Sequence, residues 1–168
     1  MPQRRLRYSL AVLALTVSLP LPAETLNWMT AEDIQRLPAE QRVPVPAWCG
    51  GVYHNPVFTA PGASTDTVLT ADESSAVPDG EARLSGDVQI RQPGRRLRAD
   101  RARYDQQSGE FELDGDIRVE TPRLTFTAQT MRGNRTDRHA TLLDAEYALF
   151  DAHARGHADE IRQRGPLI

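Results

Sequence analysis

The sequence predicts an all-β protein, an open β-jellyroll built from bent hairpin repeats and preceded by a Pro-rich extended lead. Three observations lead there. A two-part pattern recurs between Leu69 and Arg162, with its central small residue at Gly86, Gly115 and Ala145, a step of 29 and then 30 residues. Both parts alternate apolar and polar residues with the period of a strand. Turn residues separate the parts, in a chain with only 6% aromatic residues but 11 Gly and 12 Pro, a composition that suits many short strands.

The first part of each unit reads Leu84-Ser-Gly-Asp-Val88-Gln-Ile90, then Leu113-Asp-Gly-Asp-Ile117-Arg-Val119, then Leu143-Asp-Ala-Glu-Tyr147-Ala-Leu149. In the second copy Leu113, Ile117 and Val119 fall on one face of a strand, and Asp114, Asp116 and Arg118 on the other. The second part reads Leu97-Arg-Ala99-Asp100, then Phe126-Thr-Ala128-Gln129, then Gly156-His-Ala158-Asp159. Its alanines also step by 29 and then 30, which one insertion near residues 134–138 explains. A partial copy, Leu69-Thr-Ala71-Asp72, precedes them. A fixed period of this size marks a stacked array of one supersecondary unit, here a hairpin.

The second part changes phase. Leu97 and Ala99 share a face, yet the next apolar pair, Ala102 and Tyr104, has the opposite parity; likewise Met131 follows Ala128, and Ile161 follows Ala158. One extra residue at Asp100, Gln129 and Asp159 returns the apolar side chains to one side, which is what a β-bulge or a corner does. Gln92-Pro-Gly94, Gln107-Ser-Gly109, Thr121-Pro122 and Gly133-Asn134 are the expected reversals. Bent hairpins stacked in one direction make two sheets folded on each other. The inward face then carries Leu84, Val88, Ile90, Leu97, Phe111, Leu113, Ile117, Val119, Leu124, Phe126, Tyr147 and Leu149. These side chains either fill a sandwich core or line an apolar groove for an extended acyl ligand, and the stack leaves an unpaired strand at each end.

Residues 1–23 carry Arg4, Arg5 and Arg7, an apolar run from Leu10 to Leu19, and then Leu21-Pro-Ala23, the layout of a secretory signal peptide cut after Ala23. The run is too short to span a bilayer. Its removal leaves 17 arginines against 23 acidic residues, a balance of −6, and the chain contains no lysine. A mildly acidic chain of this kind is not expected to bind nucleic acid. Residues 24–66 form the lead. Thr30-Ala-Glu-Asp33 reads as a capping box that opens a short helix ended by Pro38. Pro44, Pro46, Pro56 and Pro61 then keep the chain extended, as a tether anchored at Trp48-Cys49. The jellyroll takes residues 67–168 and is expected to be incomplete.

Chemistry-bearing motifs are absent. Cys49 is the only cysteine, which in an exported chain points to an intermolecular partner, a partner outside this sequence, or an idle thiol. His54 is close in sequence, but Gly50-Gly51 and the flanking prolines give no rigid scaffold for a thiol nucleophile. His153 and His157 have a spacing that serves zinc on a helix; on a strand they face solvent. No Gly-rich phosphate loop or nucleophile elbow occurs. The expectation is therefore no catalytic residue, no metal ligand, no cofactor and no enzyme. The arginines between Arg91 and Arg103 alternate with Leu97 and Ala99 and are expected on the solvent face, or else against phosphates of an anionic ligand at the mouth of the fold.

The array Leu84-Ser-Gly-Asp-Val88, Leu97-Arg-Ala99-Asp100 and Leu113-Asp-Gly-Asp-Ile117 resembles the periplasmic, OstA-like β-jellyroll of the lipopolysaccharide-transport families, those of the LptA-type bridge and the LptD-type outer-membrane assembly proteins. Leu37-Pro-Ala-Glu-Gln, with Pro46-Ala-Trp48-Cys49-Gly-Gly-Val-Tyr53-His-Asn-Pro56, is similar to the start of LptD-type chains. The resemblance implies lipopolysaccharide as the ligand of the apolar interior and an LptA-type bridge protein docked by strand addition. It implies an LptE-type outer-membrane lipoprotein as partner if a barrel follows, and a place at the periplasmic face of the outer membrane. It further implies a disulfide from Cys49 to a cysteine outside this chain, and a chain that stops before the barrel. The alternative function is a stand-alone periplasmic adaptor or bridge that works through its edge strands with no lipid in its core.

Overall fold

The computed structural model describes residues 26–58 and 66–165; the expected signal peptide lies outside the described residues. Six long strands follow one another as an antiparallel meander: β5 (Glu81–Gln92), β6 (Arg95–Asp105), β7 (Glu110–Glu120), β8 (Leu124–Asn134), β9 (His139–Leu149) and β10 (Ala154–Arg164). Two short strands, β3 (Val68–Thr70) and β4 (Glu73–Ala76), both pair with β5 and complete an eight-stranded sheet of order β10-β9-β8-β7-β6-β5-β3. The three repeat units are the hairpins β5–β6, β7–β8 and β9–β10. Their connections use the expected turn chemistry. Asp105 Oδ1 accepts from the N–H groups of Gln107 at 2.9 Å and Ser108 at 2.8 Å, and Asn134 Oδ1 does the same for Thr136 at 2.8 Å and Asp137 at 3.0 Å. β8 runs through Gly133-Asn134, so that reversal falls at residues 135–138 instead.

Register gathers the inward residues into rows across the sheet. Ile90, Leu97, Val119, Phe126 and Tyr147 are successive partners on one arm. Leu84, Ala102, Leu113, Met131, Leu142 and Ile161 are successive partners on the other. Between the arms lies a corner of Val88 with Ala99, Ile117 with Ala128, and Ala145 with Ala158. Alanine recurs here because the two arms converge, and the corner side chains of Val88, Ala99, Ile117, Ala128 and Ala145 are at most 3% exposed. Burying an aliphatic side chain of Val or Ile size in this way stabilises by about 1.5–3 kcal/mol.

The bend itself corrects the sequence reading in one respect. The phase change falls where expected, but the extra residue sits on the first strand of a hairpin. Ser85 faces Arg101 and Val88 faces Ala99, so Gly86 and Asp87 oppose Asp100 alone; Gly115 and Asp116 likewise oppose Gln129. Each bulge puts two consecutive residues at positive φ, +74° and +42° at Gly86 and Asp87, +75° and +41° at Gly115 and Asp116. At Gly115 a Cβ would lie 2.9 Å from Cβ of Asp100, so neither backbone nor space admits a larger residue without adjustment.

The third hairpin has no such extra residue: β9 keeps a single register with both β8 and β10. Leu142 therefore replaces Leu143 in the row of Leu113, and the two are 4% and 40% exposed. Ala145 stands level with Ile117, not with Gly115. No insertion occurs near residues 134–138, since the turns at 106–109 and 135–138 are equally long; the added residue is in the β9–β10 connection, 150–153 against 121–123.

The lead is a small folded unit. β1 (Trp28–Thr30) pairs with β2 (Gly51–Tyr53), and the helix α1 (Ala31–Arg36) buries Ile34 completely. The capping box forms as expected: Thr30 Oγ1 accepts from Asp33 N–H at 3.1 Å and Asp33 Oδ2 accepts from Thr30 N–H at 3.2 Å. The Thr30 hydroxyl, which donates to Asp33 Oδ2 at 2.6 Å, and after it the Thr30 N–H hold the Asp33 carboxyl below the usual aspartate value. The tether expectation is corrected. Trp48 is 88% exposed among the described residues and so does not anchor the lead to them, whereas Leu26 and Tyr53 pack on Ala148 and Phe150. Asn27 Oδ1 accepts from Arg118 Nη2 and from Thr125 Oγ1, both at 2.8 Å. Thr125 and Ala148 have the parity opposite to Phe126 and Tyr147, so the lead docks on the outer face of the sheet.

Candidate functional site

The two arms diverge from the corner and enclose a cavity of about 450 Å³. One wall is Ile90, Leu97, Val119 and Phe126; the facing wall is Leu84, Ala102, Tyr104, Phe111, Leu113 and Met131. The expected inward residues divide into three groups. Leu84, Ile90, Leu97, Phe111, Leu113, Val119 and Phe126 line the cavity. Val88 and Ile117, 0% and 1% exposed, are closed into the corner, where neighbouring side chains leave no room for a ligand. Leu124 and Tyr147 pack against the core beyond the cavity, and Leu149 lies 39% exposed past the end of the apolar row. Phe111 and Tyr147 each cover a glycine on the next strand: a Cβ on Gly133 would meet the Phe111 ring at 2.7 Å, and one on Gly156 the Tyr147 ring at 2.7 Å.

The outer face is charged and paired. Arg98 Nε is 2.9 Å from Asp87, Arg103 Nε 2.9 Å from Glu81 and Arg132 Nε 2.7 Å from Glu112, and Arg101 pairs with Asp114. The hydrogen bond and charge of Asp114 raise the Arg101 pKa above the usual arginine value, as Glu160 does for Arg162. Pairs this exposed add little to stability, because solvent screens them. They make a solvated face, as expected for Arg98, Arg101 and Arg103. Arg95 departs from that expectation. It shares parity with Leu97, pairs in register with Gln92 at the end of the hairpin, and lines the cavity half-buried. Burial lowers its pKa from the usual arginine value. The alternation is legible in the sequence, but only counting outward from Leu97 reveals Arg95.

The remaining chemistry-bearing residues do not converge. Cys49 Sγ donates to Gly51 O at 2.8 Å, and His54 Nε2 lies 2.8 Å from Gln41 O, so each is engaged with backbone. His153 is in the β9–β10 turn and His157 is on β10, its side chain 59% exposed. Among the described residues, no group of three or more His, Cys, Asp or Glu is placed to hold a metal ion. At the two margins of the sheet, among the described residues, β10 pairs only with β9, and β3 and β4 together flank β5.

Comparisons with known proteins place this bent sheet in a family. The model of the family described as lipopolysaccharide-assembly, LptC-related, matches residues 29–147. The chain belongs to this family. It is 41% identical over 155 residues to the LPS-assembly protein LptD of Alcanivorax borkumensis, which covers 92% of this chain and 20% of the relative. It is 31% identical over 141 residues to LptD of Saccharophagus degradans, 82% of this chain and 16% of that one. The chain thus spans a fifth or less of the length of these curated relatives. Among solved structures it is similar to LptH of Pseudomonas aeruginosa, described as the LptA-homologous periplasmic component of the lipopolysaccharide transport device, with a TM-score of 0.49 and 15% identity over 62% of this chain and 85% of that one. The family match begins at Met29 and ends at Tyr147, so it takes in α1 and β2 of the lead and the long sheet as far as β9, but not Leu26, Asn27 or β10.

Proposed function

We propose that this chain handles lipopolysaccharide on the periplasmic side of outer-membrane assembly, its groove sheltering acyl chains while polar groups stay outside. The observation that carries the reading is the cavity of about 450 Å³ walled by apolar rows from both arms, in a member of a lipopolysaccharide-assembly family. That volume falls in the range of small-ligand sites, and apolar walls favour a chain that loses water on entry. The lipid-contacting residues are Leu84, Ile90, Leu97, Phe111, Leu113, Val119 and Phe126; Val88 and Ile117 hold the corner that keeps the arms apart. No step in this function needs a catalytic group.

The same reading assigns roles to the margins. The eleven residues of β10 present an edge that no other described strand pairs, onto which an LptA-type bridge protein adds a strand. Cys49 forms a disulfide to a cysteine outside this chain, and an LptE-type lipoprotein accompanies the assembly where a barrel is present. A photo-reactive residue tests the groove directly. At Phe126 it crosslinks lipopolysaccharide, and at Arg98, on the outer face, it does not. Equal labelling at both positions sinks the groove reading, and protein crosslinks confined to β10 with no lipid at Phe126 establish the adaptor in its place.

A further inference from the structure

Among the described residues, the charged residues that line the groove are all arginines, Arg95, Arg135 and Arg103, the last with its side chain turned to the outer face, although acidic residues outnumber basic ones 23 to 20 in the chain. Arg103 is also engaged with Glu81, 2.9 Å from its Nε. The other two occupy the lips. Arg95 stands at the tip of one arm, beside the β5–β6 turn, on the face it shares with Leu97 and Ile90. Arg135 directly follows β8, where the opposite arm ends, and its guanidinium carbon stands 5.7 Å above the Tyr104 ring.

We infer that Arg95 and Arg135 form a two-lipped anion site that holds the phosphorylated headgroup of an amphiphile whose chains lie in the groove. This rests on the groove reading above and adds the headgroup chemistry to it. A guanidinium presents a rigid fork that matches phosphate oxygens two at a time, and it sheds water more readily than an ammonium. Partial burial costs Arg95 part of its hydration, a loss that a neighbouring anion offsets. Stacking on Tyr104 orients Arg135 before any ligand arrives, so little side-chain freedom is lost on binding. With no carboxylate among the described residues that line the cavity, a phosphate there meets cations, the neutral polar residues Thr67, Gln92 and Gln163, and apolar surface. The Arg91 to Arg103 run thus splits into an outward set and one inward arginine on the lip.

The test displaces a neutral apolar reporter, N-phenyl-1-naphthylamine, from the chain with monododecyl phosphate, dodecyl maltoside or inorganic phosphate, all below micelle formation. Monododecyl phosphate displaces the reporter at about tenfold lower concentration than the maltoside, the difference expected of a charge-assisted contact. Arg95→Gln and Arg135→Gln each shrink that preference, read as the ratio of the two displacement midpoints, by about threefold or more, while Arg98→Gln leaves the ratio unchanged. Inorganic phosphate alone has no effect. A preference that survives both lip substitutions, in variants that still bind the reporter, overturns the two-lipped site and leaves the groove standing. Competition by inorganic phosphate as strong as that by monododecyl phosphate also overturns it, in favour of a free-anion site. Failure of the unaltered chain to bind the reporter removes the groove reading, and this inference with it.

Discussion

Gly115→Ala probes the corner that makes the groove. Gly115 sits at φ +75°, where an alanine costs about 1–2 kcal/mol of backbone strain. Its new Cβ would stand 2.8 Å from Cγ and 2.9 Å from Cβ of Asp100, closer than carbon atoms approach. The Asp100 carboxylate can swing aside, but its Cβ cannot move without β6, which two neighbouring strands hold. Overpacking of that kind adds about 1–3 kcal/mol, for a total of about 2–5 kcal/mol. Gly94 supplies the control: at φ +70° nothing lies within 4 Å of the place an added methyl would take, so Gly94→Ala reports the backbone strain alone, about 1–2 kcal/mol. Urea unfolding followed by circular dichroism measures both. Adding Asp100→Gly to Gly115→Ala recovers part of the excess loss, because it clears the obstructing Cβ. Equal losses for the two single variants would refute the reasoning that Asp100 occupies the place of the missing side chain.

Ile117→Ala should cost about 2–5 kcal/mol in the same unfolding experiment because its side chain is 1% exposed at the corner, whereas Leu149→Ala, at 39% exposed, should cost less than about 1 kcal/mol. Asn27→Gly keeps the φ of 65° accessible but removes the acceptor for Arg118 and Thr125, so hydrogen exchange should rise in β1 and β2 and stay unchanged in β6; protection that persists in the lead contradicts its docking through Asn27. The Asp105 carboxyl, held below the usual 3.8 chiefly by the Ser108 N–H, should titrate below that value in an NMR carboxyl titration. Because the folded value is the depressed one, its stabilising contribution is fully present above pH 3.8 and fades as pH falls through the folded value, and a midpoint at or above 3.8 contradicts the turn geometry.

Much of this fold is legible in the residues, for physical reasons that also mark where legibility stops. Strand parity depends only on the chain itself, so Leu113, Ile117 and Val119 announce one face, and Pro93-Gly94 and Ser108-Gly109 announce reversals. The bend is legible at Asp100 and Gln129 as a change of parity. Which strand carries the extra residue depends on the partner's count, and only pairing reveals that Gly86-Asp87 and Gly115-Asp116 are the bulges. The third unit misleads because Ala145 matches Gly115 in spacing while standing level with Ile117 in the sheet. That shift explains why Leu149 falls outside the apolar row. In the lead, Thr30 and Asp33 declare the helix cap through local chemistry. Its docking through Leu26, Asn27 and Tyr53 is long-range, with Asn27 and Thr125 separated by 98 positions, and no local pattern encodes it. The groove-lining set is visible in the sequence as a face, but its division into corner and cavity depends on the distance between the arms.

The central claim is that the inner face, and not the outer, meets lipid. Amide chemical shifts of the isotopically labelled chain, followed while lipopolysaccharide is added, test this most directly. The account predicts changes along Leu84, Leu97, Phe111 and Phe126, with Arg98, Glu112 and Arg132 on the outer face unmoved. Changes confined to the outer face or to β10, with the inner rows silent, would contradict it.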